Sequence, residues 1–167
     1  MLYAEARPLI RSGDVVAFSH GDWRTWSGIK VNIVRMFTRS TFSHTGLAWV
    51  VGGRVLVLEA VKPKLRIYPL SLLGDFYLVP TGAPWREPTE AYALDRVGVN
   101  YSELVALRAF FEPLEAGNVQ QCAAYVREVL LRDGIDLGQR ATPDAVVDAA
   151  LKRSGQIDFV SNPPEAR

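Results

Sequence analysis

Residues 42–61 read Phe42-Ser43-His44-Thr45-Gly46-Leu47-Ala48-Trp49-Val50-Val51-Gly52-Gly53-Arg54-Val55-Leu56-Val57-Leu58-Glu59-Ala60-Val61. Two apolar runs flank a Gly-Gly pair. Both turn residues can take positive φ without a Cβ clash, so the stretch predicts strands over 43–51 and 54–61 joined as a hairpin. With a two-residue loop Val51 pairs with Arg54, and the same register sets His44 opposite Val61 and Glu59 opposite Gly46. Direct partners share a face of a sheet, so these four residues point the same way, with Glu59 the diagonal neighbour of His44. A four-residue loop keeps this arrangement. A three-residue loop breaks it.

Glu59 sits inside Val-Leu-Val-Leu-Glu-Ala-Val. A carboxylate within such a run is costly unless paired, and His44 is the nearest candidate partner. The plain alternative is a solvated face with Glu59 on the surface; the unbroken apolar run argues against it. His44 taken alone is as readily a satisfied core histidine. Gly46, facing Glu59, is expected to leave open space above the sheet, where a substrate or the helix bearing Cys122 can approach.

Outward from the hairpin, Gly13-Asp14 is a turn signal and Val15-Val16-Ala17-Phe18 a short buried strand. Trp26, Ile29, Ile33, Met36 and Phe37 recur at helical spacing and predict an amphipathic helix over 24–39, its Arg and Lys residues forming a solvated face. Short strands are expected at 65–68 and 75–79, punctuated by Pro63, Pro69 and Pro80. The second half reads as helices. One covers 88–97, with Pro88 in its first turn and Gly98 at its stop. Another covers about 101–112. A third starts after Asn118, and a fourth runs from Thr142-Pro143 to near Gly155. Strands first and helices later predict an α+β domain with an antiparallel sheet. A single domain over 1–160 is expected, with a loose tail over 161–167.

The chain has 167 residues, 49% hydrophobic and 22% charged, with a net charge of +1. This is an ordinary globular balance, without the electrostatic footprint of a nucleic-acid or anionic-membrane binder. No apolar run is long enough to span a bilayer, and the first residues, with Glu5 among them, lack a signal core. The expected location is cytoplasmic by default, or reached by another route of delivery. One cysteine rules out an internal disulfide, and two histidines are too few for a closed structural zinc site. No metal or cofactor is expected. His20, after the first strand, reads as loop surface, with the rim of the cleft as the alternative.

Asn118-Val119-Gln120-Gln121-Cys122 has the form of a helix start, Asn118 capping and Gln121 reaching back to it. Cys122 then falls in the first turn or just beyond, where the helix dipole favours a thiolate. Gln121 and the main-chain N–H of Cys122 are the candidate donors to an oxyanion. The alternative makes Cys122 part of a core stripe with Val126 and Val129. A thiol nucleophile, a histidine base and a carboxylate to orient it form the set that activates a cysteine. The sequence alone does not bring the helix to the hairpin.

Taken in order, these motifs resemble the circularly permuted branch of the NlpC-type papain-like hydrolases, the YiiX-like group. The likeness covers about residues 12–152. It rests on Gly13-Asp14, Phe42-Ser43-His44-Thr45-Gly46-Leu47, Leu58-Glu59-Ala60, Gly98 with Tyr101, Cys122-Ala123-Ala124-Tyr125-Val126 and Gly134-Ile135. Most papain-like enzymes carry the cysteine before the histidine; the order here, His, Glu, Cys, is that of the permuted branch. The resemblance implies Cys122 as nucleophile, His44 as base, Glu59 as third polar member, and a sheet packed against the cysteine helix. Two departures stand out. Ala123 follows the cysteine where serine is common in the superfamily. Glu59 stands where the lecithin-retinol acyltransferase-like branch usually has a second histidine.

The expected activity is hydrolysis of an amide or peptide bond, in cell-wall peptide or a small acyl-amino acid amide, through a thioester acyl-enzyme. Gly46, Tyr125 and Trp26 are the expected substrate contacts, the 24–39 helix acting as wall or lid of the cleft. Two other classes stay open. One is a lipid thioesterase, esterase or acyltransferase using the same thiol. The other is a non-catalytic binding domain on the same fold.

Overall fold

The computed structural model describes residues 1–19, 42–61, 64–99 and 118–163. The expected helices over 24–39 and 101–112, with Trp26, His20 and Tyr101, lie outside these residues.

The described chain is a mixed α+β structure built on a six-stranded antiparallel sheet. In chain order it runs α1 (Tyr3–Ala6), β1 (Val15–Phe18), β2 (His44–Val51), β3 (Arg54–Val61), β4 (Lys64–Pro69), a 3-10 turn (Leu70–Leu72) and β5 (Phe76–Val79). Then follow α2 (Glu87–Asp95), α3 (Asn118–Arg132), α4 (Pro143–Ser154) and β6 (Asp158–Val160). The spatial order of strands is β4-β3-β2-β1-β5-β6.

The β2–β3 register is that of a two-residue loop. Val51 pairs with Arg54 and Gly46 with Glu59, and Gly52 and Gly53 take φ of 55° and 71°. A residue bearing a Cβ is strained at either glycine, so the Gly-Gly pair fixes which side chains share a face. The next hairpin continues the pattern, with Val61 opposite Lys64 and Glu59 opposite Arg66. The free edge of β4 is partly covered. The Gly98 N–H donates to the carbonyl of Leu65 at 2.8 Å, and Gly98 turns there at φ 85°.

Alternation divides the sheet into two apolar layers. Val15, Ala17, Leu47, Leu58, Ala60 and Leu65 pack against α3 and α4. Val16, Ala48, Val55, Val57 and Leu78 pack against Ala6, Ile10 and Leu70 on the reverse face. In α3 the residues Val126, Val129 and Leu130 are fully buried, each contributing about 1.5–3 kcal/mol by leaving water. Leu130→Ala would cost about 2–5 kcal/mol. The helix stops at Gly134, φ 77°, where the N–H of Ile135 closes back on Leu130 at 3.0 Å. In α4 the Thr142 hydroxyl accepts from the Ala145 N–H at 3.3 Å, Pro143 opens the helix and Gly155 ends it at φ 70°.

The tail expected from Ser161 is anchored at its start. Ser161 bridges to Leu2, and the buried Asn162 donates its amide to the carbonyls of Leu70 and Leu73. Strand β6 and helix α1, three and four residues long, carry too little periodicity for the sequence to reveal them. Among the described residues no helix is long and apolar enough to cross a membrane.

Candidate active site

Gly13 and Asp14 set the base of β1. Asp14 is buried and accepts from the N–H groups of Arg11 at 2.8 Å and Thr81 at 3.2 Å. This ties β1 to the end of β5 and aligns β1 with β2, so that Phe18 pairs with His44. Their rings stack at 5.8 Å and 28°. On the other side, the Phe42 N–H donates to Asp144 of α4 at 3.0 Å. His44 is therefore held by the sheet, by a stacked ring and by an anchored lead-in strand.

The register puts His44, Glu59 and Arg66 on one face. His44 Nε2 lies 2.7 Å from Glu59 Oε2. The other carboxylate oxygen, Oε1, accepts from Arg66 Nε at 2.9 Å and Nη2 at 2.7 Å. Glu59 is only 2% exposed, so both oxygens need such partners. Burial works to keep the acid protonated, but His44 and Arg66 outweigh it and hold the carboxyl below its ordinary range.

Cys122 meets this pair from α3. The thiol is hydrogen-bonded to the His44 ring. With Nε2 engaged by Glu59, the remaining ring nitrogen, Nδ1, is the one that faces sulfur. Helix α3 covers the layer opposite to the one His44 points into. The thiol thus reaches the imidazole beyond the last β2–β3 rung, Gly46 with Glu59, rather than through the sheet. There the main-chain N–H of Thr45 also donates to the sulfur. Burial opposes charge on His44, yet Cys122 and Glu59 raise it to about 9. Burial likewise disfavours the Cys122 anion, but His44 and then Thr45 outweigh it and lower the thiol. The arrangement favours a thiolate–imidazolium pair.

Several expectations need correction. In α3 Cys122 lies four residues past Asn118. Its N–H is then the one the helix ladder closes on the Asn118 carbonyl, and is not a free oxyanion donor. The dipole also fades past the first turn, so His44 and Thr45, rather than the helix end, lower the thiol. Asn118 lies within the helix rather than capping it from outside. Gln121 is half-buried, with Oε1 buried and unpartnered.

Gly46 leaves no open space. A Cβ there would stand 2.7 Å from Val57 Cγ2 and 2.9 Å from the Leu58 carbonyl, so the glycine serves close strand packing and not substrate access. Nor does the cysteine helix approach above it, because α3 covers the reverse face. Tyr125 is not a substrate contact. It is buried in the core, its hydroxyl donates to the Ala93 carbonyl at 3.1 Å, and burial raises its pKa. Trp26 lies outside the described residues.

Arg66 and Thr45 escaped the sequence reading. Carrying the register past Val61 and Lys64 would have set Arg66 opposite Glu59. Thr45 carried no signal beyond adjacency to His44. Among the described residues no group of three or more His, Cys, Asp or Glu side chains is arranged to hold a metal ion. Comparison with protein-family models and with curated proteins gives no match for this chain.

Proposed function

We propose that the chain is a thiol hydrolase of the permuted papain-like type that cleaves an amide or peptide bond through a thioester. One observation carries this reading: the His44 ring spans the Cys122 thiol and the buried Glu59 carboxylate. The chain order His, Glu, Cys and a cysteine helix packed on an antiparallel sheet support the fold assignment.

In this mechanism the Cys122 thiolate attacks the substrate carbonyl carbon. A C–S bond forms and the C=O π pair moves onto oxygen. Collapse restores C=O and breaks the C–N bond, and the proton on His44 Nδ1 passes to the leaving nitrogen. Neutral His44 then takes a proton from water, whose oxygen attacks the thioester carbonyl. The C–S bond breaks, releasing a carboxylic acid and restoring the thiolate–imidazolium pair. Glu59 orients the ring and stabilises its charge throughout, fixed in turn by Arg66.

Cell-wall peptide or a small acyl-amino acid amide is the substrate class by family likeness. The test pairs such amides with lipid esters and follows Cys122 by intact-mass spectrometry. An acyl adduct from amides that is lost in Cys122→Ala supports the reading. An adduct from lipid esters alone would move the protein to the lipid thioesterase or acyltransferase class. A thiol unreactive toward both substrates and iodoacetamide at mildly acidic pH would leave a binding domain.

A further inference from the structure

Thr45 presents an anomaly. It is fully buried, pairs with Ala17 on the face packed by α3, and its Oγ1 has no partner at full hydrogen-bond geometry. A buried hydroxyl without a partner is unfavourable, and a valine of the same shape would avoid the cost. Its main-chain N–H already donates to the Cys122 sulfur. The hydroxyl reaches the same sulfur and favours its anion, in a contact short of full hydrogen-bond geometry.

We infer that Thr45 is a further catalytic residue of this site, its hydroxyl turning to complete a hydrogen bond to the Cys122 thiolate. Main-chain N–H and side-chain O–H of one residue then make a two-donor cradle for the anion. A hydroxyl can do this by rotating about one bond, so no backbone movement is needed. The ionisable group acting on the sulfur is His44, from β2, with Glu59 and Arg66 behind it. The O–H supplies a dipole that survives when His44 gives up its proton to the leaving group. That is the stage at which the sulfur is next displaced and must again carry charge. The inference rests on Cys122 reacting as a thiolate, as proposed above.

The test is the pH profile of iodoacetamide alkylation in wild type, Thr45→Val and Thr45→Ser, with thermal denaturation of each. Valine keeps the shape and removes the donor. Its alkylation should slow about tenfold in the acidic range, with the profile moved to higher pH and stability unchanged or raised. Serine keeps the donor and should follow wild type. A valine variant with the wild-type profile would overturn the inference. So would a serine variant that shifts as valine does, since packing would then be the cause. So would a valine variant that fails to fold, which would mean the hydroxyl has a structural partner. If wild type itself does not alkylate below neutral pH, the thiolate reading fails instead, and the two failures are told apart.

Discussion

Glu59 and Arg66 are direct partners across β3 and β4, and both guanidinium contacts, 2.9 Å from Nε and 2.7 Å from Nη2, fall on the same carboxylate oxygen. The other oxygen is thereby left to His44. Arg66→Met should release the carboxylate, raise its pKa toward the ordinary value and loosen the imidazole. Breaking a fully buried pair costs about 3–5 kcal/mol. Arg66 keeps 44% of its side chain exposed, so solvent screening reduces the loss to about 1–2 kcal/mol. Urea denaturation measures it, and a drop in kcat with little change in KM would mark a positioning role.

The pH response follows from the opposed shifts of the pair. His44 is raised to about 9, so its contribution to stability is complete below its ordinary 6.5 and lost as pH rises through 9. Cys122 is lowered from 9.0, so its contribution is complete above 9.0 and lost as pH falls through the native value. Between pH 6.5 and about 9, with Cys122 ionised, the native pair holds one proton on imidazole while the unfolded chain holds one on sulfur. The two trends cancel, and stability should be nearly flat. Above pH 9 it should stay level, because the unfolded thiol gives up its proton over the same range as native His44. Below pH 4.5 it should fall as the lowered Glu59 is protonated. Denaturation midpoints across this range check the plateau. Hydrolysis needs the imidazolium and should decline near pH 9, whereas alkylation needs only the thiolate and should not.

The sulfur and the ring raise and lower each other, so removing one must move the other. In Cys122→Ala the His44 pKa should fall from about 9, burial being then opposed by Glu59 without the thiolate. The chain has two histidines, so NMR titration of the imidazole protons, assigned with His44→Gln, reads the change directly. A His44 that titrates unchanged in the alanine variant would mean that the thiol carries no charge in the native protein.

The hairpin was legible because Gly52 and Gly53 allow one tight turn and therefore one register. That register brings His44 and Glu59 to a common face without any knowledge of tertiary structure. Arg66 was equally within reach, since β3 and β4 pair from Val61 and Lys64 onward, but Pro63 interrupts the apolar pattern that extends the register. The approach of Cys122 was not legible. It depends on how α3 docks on the sheet, 78 residues after His44, and no local pattern encodes that. Tyr125 and Gly46 misled for a related reason. An aromatic one turn past the cysteine and a glycine opposite the acid suit a cleft, but they serve equally well as core and as close strand contact.

Tyr125 offers a check on that distinction. Its hydroxyl donates to the Ala93 carbonyl between α3 and α2 and is buried. Tyr125→Phe removes that bond and should cost about 0.5–1.5 kcal/mol in stability. Substrate KM should be unchanged, because the ring faces the helix layer. A rise in KM at unaltered stability would return Tyr125 to the cleft.

Gly46→Ala tests the other reassignment. The added methyl would meet Val57 Cγ2 at 2.7 Å and the Leu58 carbonyl at 2.9 Å. A side chain can rotate away, but the carbonyl belongs to the strand that carries Glu59, and moving it moves the acid. The variant should lose about 1–3 kcal/mol by overpacking, seen as a lower melting temperature. Displacing β3 should also lengthen the 2.7 Å contact between Glu59 and His44, so alkylation of Cys122 at acidic pH should slow as well. Were Gly46 instead a site of substrate access, the alanine variant would keep its melting temperature and its alkylation profile and lose only substrate affinity.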